Sequence, residues 1–281
     1  MTATEVATRE AALLGVHTDL TNEAYHAAEG VSNSMLKTLL DKSPAHLRFG
    51  ERKPSPAMAR GTLVHTAVLE PHRLGAEYVV APDLDKRTKA YKEWAETVTG
   101  KIIVNADEMH AATSVGQALR DCRELENVWA ANPLIEASVF WQDELTKETC
   151  RCRPDVWLRG AILIDLKTIN DASGDGCRKN IENFRYDMQA AFYSDGVFAA
   201  TGERVPFLCI FVEPEPPFAF KLLELDGEYL DIGRKSYRRA LDTYAECKSR
   251  NVWPAYPTAI QRVDPSPWFR KSFEATQLPM E

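Results

Sequence analysis

The run at residues 150–170, "CRCRPDVWLRGAILIDLKTIN", constrains this chain more than any other stretch. Apolar and β-branched residues flank a glycine-containing turn, which is the pattern of a buried hairpin. Yet the run carries Asp155, Asp165 and Lys167. Asp165 and Lys167 are two apart on an expected strand, so their side chains leave one face, while Ile162, Ile164 and Leu166 leave the other. A two-residue turn at Arg159-Gly160 pairs Asp155 with Ile164 and points it away from Asp165. A three-residue turn through Arg159, Gly160 and Ala161 instead sets the two acids opposite each other. That arrangement requires an odd turn or a bulge, and Gly160 is the residue that permits one.

Facing carboxylates repel, and strands avoid such pairs. A divalent cation removes the repulsion. Mg²⁺ takes a few carboxylates, keeps several waters and draws its remaining ligands from substrate phosphate. A lysine beside it can orient a nucleophilic water or stabilise charge developing on a phosphate. The bland reading is a surface ion pair, because Asp-x-Lys arises often by chance; the Pro-Asp dipeptide, the spacing and the core-like neighbours favour the site. His65, on a helix upstream, reads by itself as a packed or exposed histidine. Glu136 sits in a strand where alternation alone can account for a polar residue. Gln189 and Tyr193, four apart, share a helix face, and alone they read as a polar edge with an anchoring tyrosine.

The period of the apolar residues sets the organisation. Helices are expected after the capping run Ser32, Asn33 and Ser34, from Pro44, and up to Pro71. Two more flank a short apolar strand between residues 87 and 122. "PLIEASVFWQ", "KETCRCRPDVWL" and "AILIDLKTI" then suggest a three-strand meander. A helix over residues 181–201, two strands and a long amphipathic helix complete one mixed α/β domain behind a helical N-terminal region. The expected division is a loosely held leader at 1–20, a single domain at 21–258 and a C-terminal tail at 259–281. The 281 residues, 44% hydrophobic, can bury a core without disulfides or metals. The six cysteines form no CxxC pair, and Cys152 and Cys209 read as reduced core residues. No signal peptide and no membrane span are apparent, so a cytoplasmic protein is expected. A net charge of −7 argues against a surface coated in basic charge but leaves room for a local cationic channel.

Taken together, the ordered series His65, "RPD", "IDLK" and "QAAFY" resembles the PD-(D/E)XK nuclease superfamily in its RecB-like branch. The flanks "GVSNSMLKTLLDKSPAH", "ARGTLVHTAVLEP", "CRCRPDVW", "YDMQAAFYSDG" and "VWPAY" resemble the RecE-type exonucleases (exonuclease VIII) of phages and prophages, over roughly residues 22 to 257. The resemblance implies an α/β PD-(D/E)XK fold with a central mixed sheet flanked by helices. It implies that His65, Asp155, Asp165 and the backbone carbonyl of Leu166 hold the metal, Mg²⁺ or Mn²⁺, and that Lys167 positions the attacking water. Gln189 and Tyr193 would line the site and touch DNA, with Glu136 as a further upstream acid. Lys179 and Arg185 are added as candidate phosphate contacts. The cysteines lack the clustered spacing of the iron–sulfur branch, and no Walker A run is present.

The activity so implied is degradation of linear double-stranded DNA from the 5′ end. It leaves 3′ single-stranded tails for a single-strand annealing protein of RecT type, and the enzyme forms a homo-oligomeric ring. The alternatives are a structure-selective or single-strand nuclease with the same site, and a non-catalytic DNA-end binding module.

Overall fold

Two of the three strands expected for the meander change sheets part-way along, and the geometry of the site follows from those changes. The computed structural model describes residues 13–51 and 56–276. It begins with β1 (Gly15–His17), α1 (Asn22–Ala27), β2 (Val31–Ser32), α2 (Asn33–Asp41), α3 (Pro44–Phe49) and α4 (Pro56–Leu69). A peripheral segment follows with α5 (Leu74–Glu77), β3 (Tyr78–Val80), α6 (Lys89–Thr97) and β4 (Ile102–Val104), leading to α7 (Ala106–Arg120) and α8 (Glu126–Ala130). Next come β5 (Leu134–Ile135), β6 (Ser138–Gln142), β7 (Thr149–Cys152), β8 (Val156–Leu158) and β9 (Ile162–Thr168). The chain continues through α9 (Gly174–Phe184), α10 (Tyr186–Thr201), β10 (Phe207–Val212), β11 (Phe220–Glu224), α11 (Gly227–Arg250) and α12 (Pro267–Thr276).

The central sheet has the order β11-β10-β9-β8-β5, with β9 and β10 parallel and the other pairs antiparallel. A second sheet has the order β1-β6-β7-β2, and β3 pairs with β4. The expected meander is therefore not one sheet. β5 and β8 belong to the central sheet, whereas their continuations β6 and β7 pair in the second. The cause is a corner. Glu136 adopts a left-handed φ of 46°, which turns its strand, and its N–H donates to the carbonyl of Asp155 at 3.0 Å. Opposite, Pro154 interrupts the other strand, because proline cannot donate to a ladder.

Three further differences from expectation have local causes. Within the expected leader, Gly15, Val16 and His17 pair with Phe140, Val139 and Ser138, so the second sheet holds them; residues 1–12 lie outside the described part. The helix expected over 181–201 breaks at Arg185, whose φ of 57° caps α9 and starts α10 in a new direction. Part of the expected tail is the helix α12.

Both faces of the central sheet are covered, as is usual where strands run parallel. Ile164, Leu166, Ile210 and Val212 pack on α4 and α7 through Leu63, Val64, Val115 and Leu119. On the other face Leu163, Phe207, Cys209 and Phe211 meet Met188 and Phe192 of α10. α7 starts in a capping box between Asn105 and Glu108, which fixes where that helix enters. α11 approaches the first turn of α10 so closely that a Cβ on Gly233 would lie 2.1 Å from the carbonyl oxygen of Asp187. All six cysteines are free and buried. Among the described residues no helix is long and apolar enough to cross a membrane.

Candidate active site

The hairpin turns through three residues, with Gly160 at φ 69° and Leu158 paired to Ile162. Of the two registers open to the sequence, this is the one that sets Asp155 opposite Asp165. Val156 pairs with Ile164, so one step further along the same register brings Asp155 to Asp165, and two steps bring Pro154 to Leu166. The amides of Leu163 and Ile169 donate toward β10. The alternate residue Leu166 therefore turns its N–H and C=O toward the place where β8 would continue.

Pro154 has no N–H to give there, and the strand bends away. Leu166 is left with both main-chain groups unclaimed by the ladder. Its N–H donates to Oδ2 of Asp155 at 2.7 Å. Its carbonyl accepts from Nε2 of His65 at 2.9 Å, and Nδ1 of His65 lies 3.7 Å from the same Asp155 oxygen. α4 brings His65 there because Leu63 and Val64 pack its apolar side against the sheet.

Asp165 is only 2% exposed. Nε2 of Gln189 donates to its Oδ1 at 2.6 Å, and the Lys167 ammonium stands 2.5 Å from its Oδ2. Lys167 also lies 4.7 Å over the ring of Tyr186. Burial, and then the charge of Asp165, raise the Asp155 pKa to about 6, against the opposing pull of His65, Lys167 and the Leu166 amide. For Lys167 burial works to lower the pKa, but Asp165, Tyr186 and Asp155 together raise it, so the ammonium stays charged. The site holds more negative charge than its own lysine neutralises.

One buried and one half-buried carboxylate, an imidazole and a released main-chain carbonyl form an oxygen-rich donor set with one nitrogen. Such a set fits a hard divalent cation, Mg²⁺ or Mn²⁺. Among the described residues, no three His, Cys, Asp or Glu side chains stand ready as a cage. The Asp165 oxygens are turned instead to Gln189 and Lys167, and His65 to Leu166.

A cleft of about 670 Å³ opens beside Asp155 and is lined by Glu136, Gln189 and Tyr193. Glu136 thus shares the cleft with Asp155, and Tyr193 packs its ring edge-on against Phe207. Arg153, not singled out from the sequence, holds the corner. It donates to the carbonyls of Glu136 and Leu20, each at 2.7 Å. Its place beside Pro154 was the available signal.

The two candidate phosphate contacts are not brought to this cleft. Lys179 lies on the exposed side of α9. The Arg185 guanidinium is engaged by Asp187 at 3.1 Å and by the Ser236 hydroxyl at 2.6 Å, where it braces the α9–α10 break against α11. Tyr186, beneath Lys167, is the site neighbour that sequence reasoning missed.

Residues 32–264 match the family described as a PDDEXK-like domain of unknown function, DUF3799. The chain belongs to this family. Asp155, Asp165 and Lys167 all lie within the matched span. A crystal structure of a Eubacterium rectale protein, named only as a candidate exonuclease, is similar in fold, with a TM-score of 0.61 and 15% identity over 92% of this chain and 99% of the other. The alkaline exonuclease of Laribacter hongkongensis aligns at 17% identity over 64% of this chain and 95% of its own, with a TM-score of 0.26. No curated protein matches the chain. The fold is that of the PD-(D/E)XK nucleases, a mixed α/β sheet flanked by helices.

Proposed function

We propose that this PDDEXK-like protein is a divalent-metal-dependent exodeoxyribonuclease. In this reading it degrades linear double-stranded DNA from 5′ to 3′ and leaves 3′ tails for annealing-type recombination. One observation carries the reading. Asp155 accepts from the Leu166 amide, His65 meets the Leu166 carbonyl, Lys167 pairs with Asp165, and a cleft opens beside Asp155.

His65, Asp155, Asp165 and the Leu166 carbonyl would hold Mg²⁺ or Mn²⁺, which supplies Lewis-acid stabilisation of charge developing on the scissile phosphate. Lys167 keeps its proton, so its ammonium orients the attacking water and steadies that charge. Gln189 fixes the rotamer of Asp165 through the 2.6 Å hydrogen bond. Tyr193 and Glu136 line the path of the strand. Arg151 and Arg153 also border the cleft and supply local positive charge on a chain whose net charge is −7. A homo-oligomeric ring, a RecT-type annealing partner and a cytoplasmic setting belong to the same reading and rest on the RecE-type resemblance.

The test is digestion of uniformly labelled linear duplex beside a covalently closed circle, with Mg²⁺, for the wild type and Asp165→Ala. Loss of the linear form alone, abolished in the variant, is expected. Cutting of the circle would make the protein an endonuclease. Intact linear DNA in both Mg²⁺ and Mn²⁺ would remove the catalytic reading.

A further inference from the structure

Beyond Lys167 the site continues into a second cation. Lys37, on α2, donates from Nζ to the carbonyl of Phe184 at 2.9 Å and lies 5.1 Å over the Phe184 ring. That ring stacks on Tyr186 at 5.9 Å with an interplanar angle of 25°. Lys167 in turn lies 4.7 Å over Tyr186. Two ammonium groups therefore bracket one aromatic pair, with Asp165 at the far end.

The neighbouring cations each have a carboxylate: Lys167 has Asp165 at 2.5 Å, and Arg185 has Asp187 at 3.1 Å. Among the described residues no carboxylate comes within ion-pair distance of Lys37; a carbonyl and a ring hold it. Burial lowers its pKa, and repulsion from Lys167 and Arg185 adds to that against the pull of Asp41. Among the described residues this half-buried cation, kept beside two others, has no carboxylate in direct contact. The Phe184 ring beside it is 49% exposed, so one face of it is open to a ligand. Asn33 and Ser34, at the start of the same helix, already line the cleft.

We propose that Lys37 and Phe184 form a nucleotide subsite beside Lys167. The Lys37 ammonium takes a backbone phosphate adjacent to the one being cut, and the Phe184 ring stacks on the base that the phosphate carries. Phosphate contact by lysine and base stacking on an exposed aromatic are the two elements of sequence-independent strand binding. This deepens the nuclease reading and rests on it. The competing structural role is plain: Phe184 is the last residue of α9, and lysines cap such carbonyls.

The experiment compares full-length wild type with Lys37→Gln, Lys37→Arg and Phe184→Ala. Glutamine keeps an N–H donor for the Phe184 carbonyl while removing the charge. The readouts are steady-state cleavage of linear duplex in Mg²⁺, the salt dependence of duplex binding by anisotropy in EDTA, and Tm. Lys37→Gln is expected to raise KM about tenfold, in line with loss of one charge-assisted contact. kcat and Tm should be nearly unchanged, and the log–log salt slope shallower by about 0.9. Lys37→Arg should restore both, and Phe184→Ala should raise KM without changing the slope.

A Lys37→Gln enzyme with wild-type KM and slope overturns the subsite and leaves the nuclease reading standing. A raised KM that arginine does not rescue, with a lowered Tm, assigns Lys37 to capping α9. A wild type that neither cuts nor binds duplex overturns both readings. If it binds without cutting, the slope difference alone decides the subsite.

Discussion

The backbone amide of Leu166 donates to Oδ2 of Asp155 at 2.7 Å, so the acid on the shorter strand is moored to the main chain of the strand that bears Asp165. The moored Asp155 carboxylate and the released Leu166 carbonyl have one origin, the departure of the partner strand at Pro154.

That origin can be probed by restoring the missing donor. Pro154→Ala places an N–H opposite the Leu166 carbonyl, where it competes with any other claimant. DNA cleavage should fall about tenfold, the worth of one hydrogen bond to the released oxygen. The far-UV circular dichroism spectrum should not change. Full activity in the alanine variant would show that the proline is not what frees the carbonyl.

Lys167→Ala removes the ammonium from Asp165 and from the place where phosphate charge develops. kcat on linear duplex should drop by about 10²–10³ with KM little altered. Single-turnover rates measured alongside steady-state kinetics would separate this from a loss of binding.

Gly233→Ala drives a methyl group into the Asp187 carbonyl at the first turn of α10, where backbone cannot yield as a side chain tip would. Urea unfolding should show a loss of about 1–3 kcal/mol. Gln189 rides on the same helix, so activity should fall with stability.

Asp143 gives the acid limb of the stability profile. Burial works to raise its pKa, but hydrogen bonds from Arg238 and Thr146 outweigh that and lower it to about 2. A depressed carboxylate stabilises the fold above its unfolded value of 3.8, and the contribution disappears as pH falls from there through about 2. The shift corresponds to about 2 kcal/mol. Thermal melts between pH 7 and pH 2 should show Asp143→Asn less stable than wild type near neutrality, with the two curves converging at the acid end.

Much of this site was legible in the sequence because a strand repeats every two residues. Asp165 and Lys167 had to share a face, and Gly160 allowed the register that brings Asp155 to that face. The corner was not legible. The residues on both sides of Glu136 and Pro154 are equally suited to strands, so nothing in their composition marks a change of sheet. The break at Arg185 was hidden by apolar periodicity that runs through it, and with it the pairing of that guanidinium with Asp187 in place of a phosphate. Lys37 meets Phe184 across 147 residues, and no local pattern reports such a contact.

The parts of the site also differ in how far along the chain they must travel. Asp155 reaches Leu166 across 11 residues, Gln189 reaches Asp165 across 24, and His65 reaches Leu166 across 101. Contacts of long sequence separation form late, because loop closure must precede them. Because Gln189 lies on α10 and His65 on α4, the constellation is whole only once both helices have packed on the sheet. Fragments that end before α10 carry the two acids and the lysine without Gln189 and Tyr193, and should be inert toward DNA.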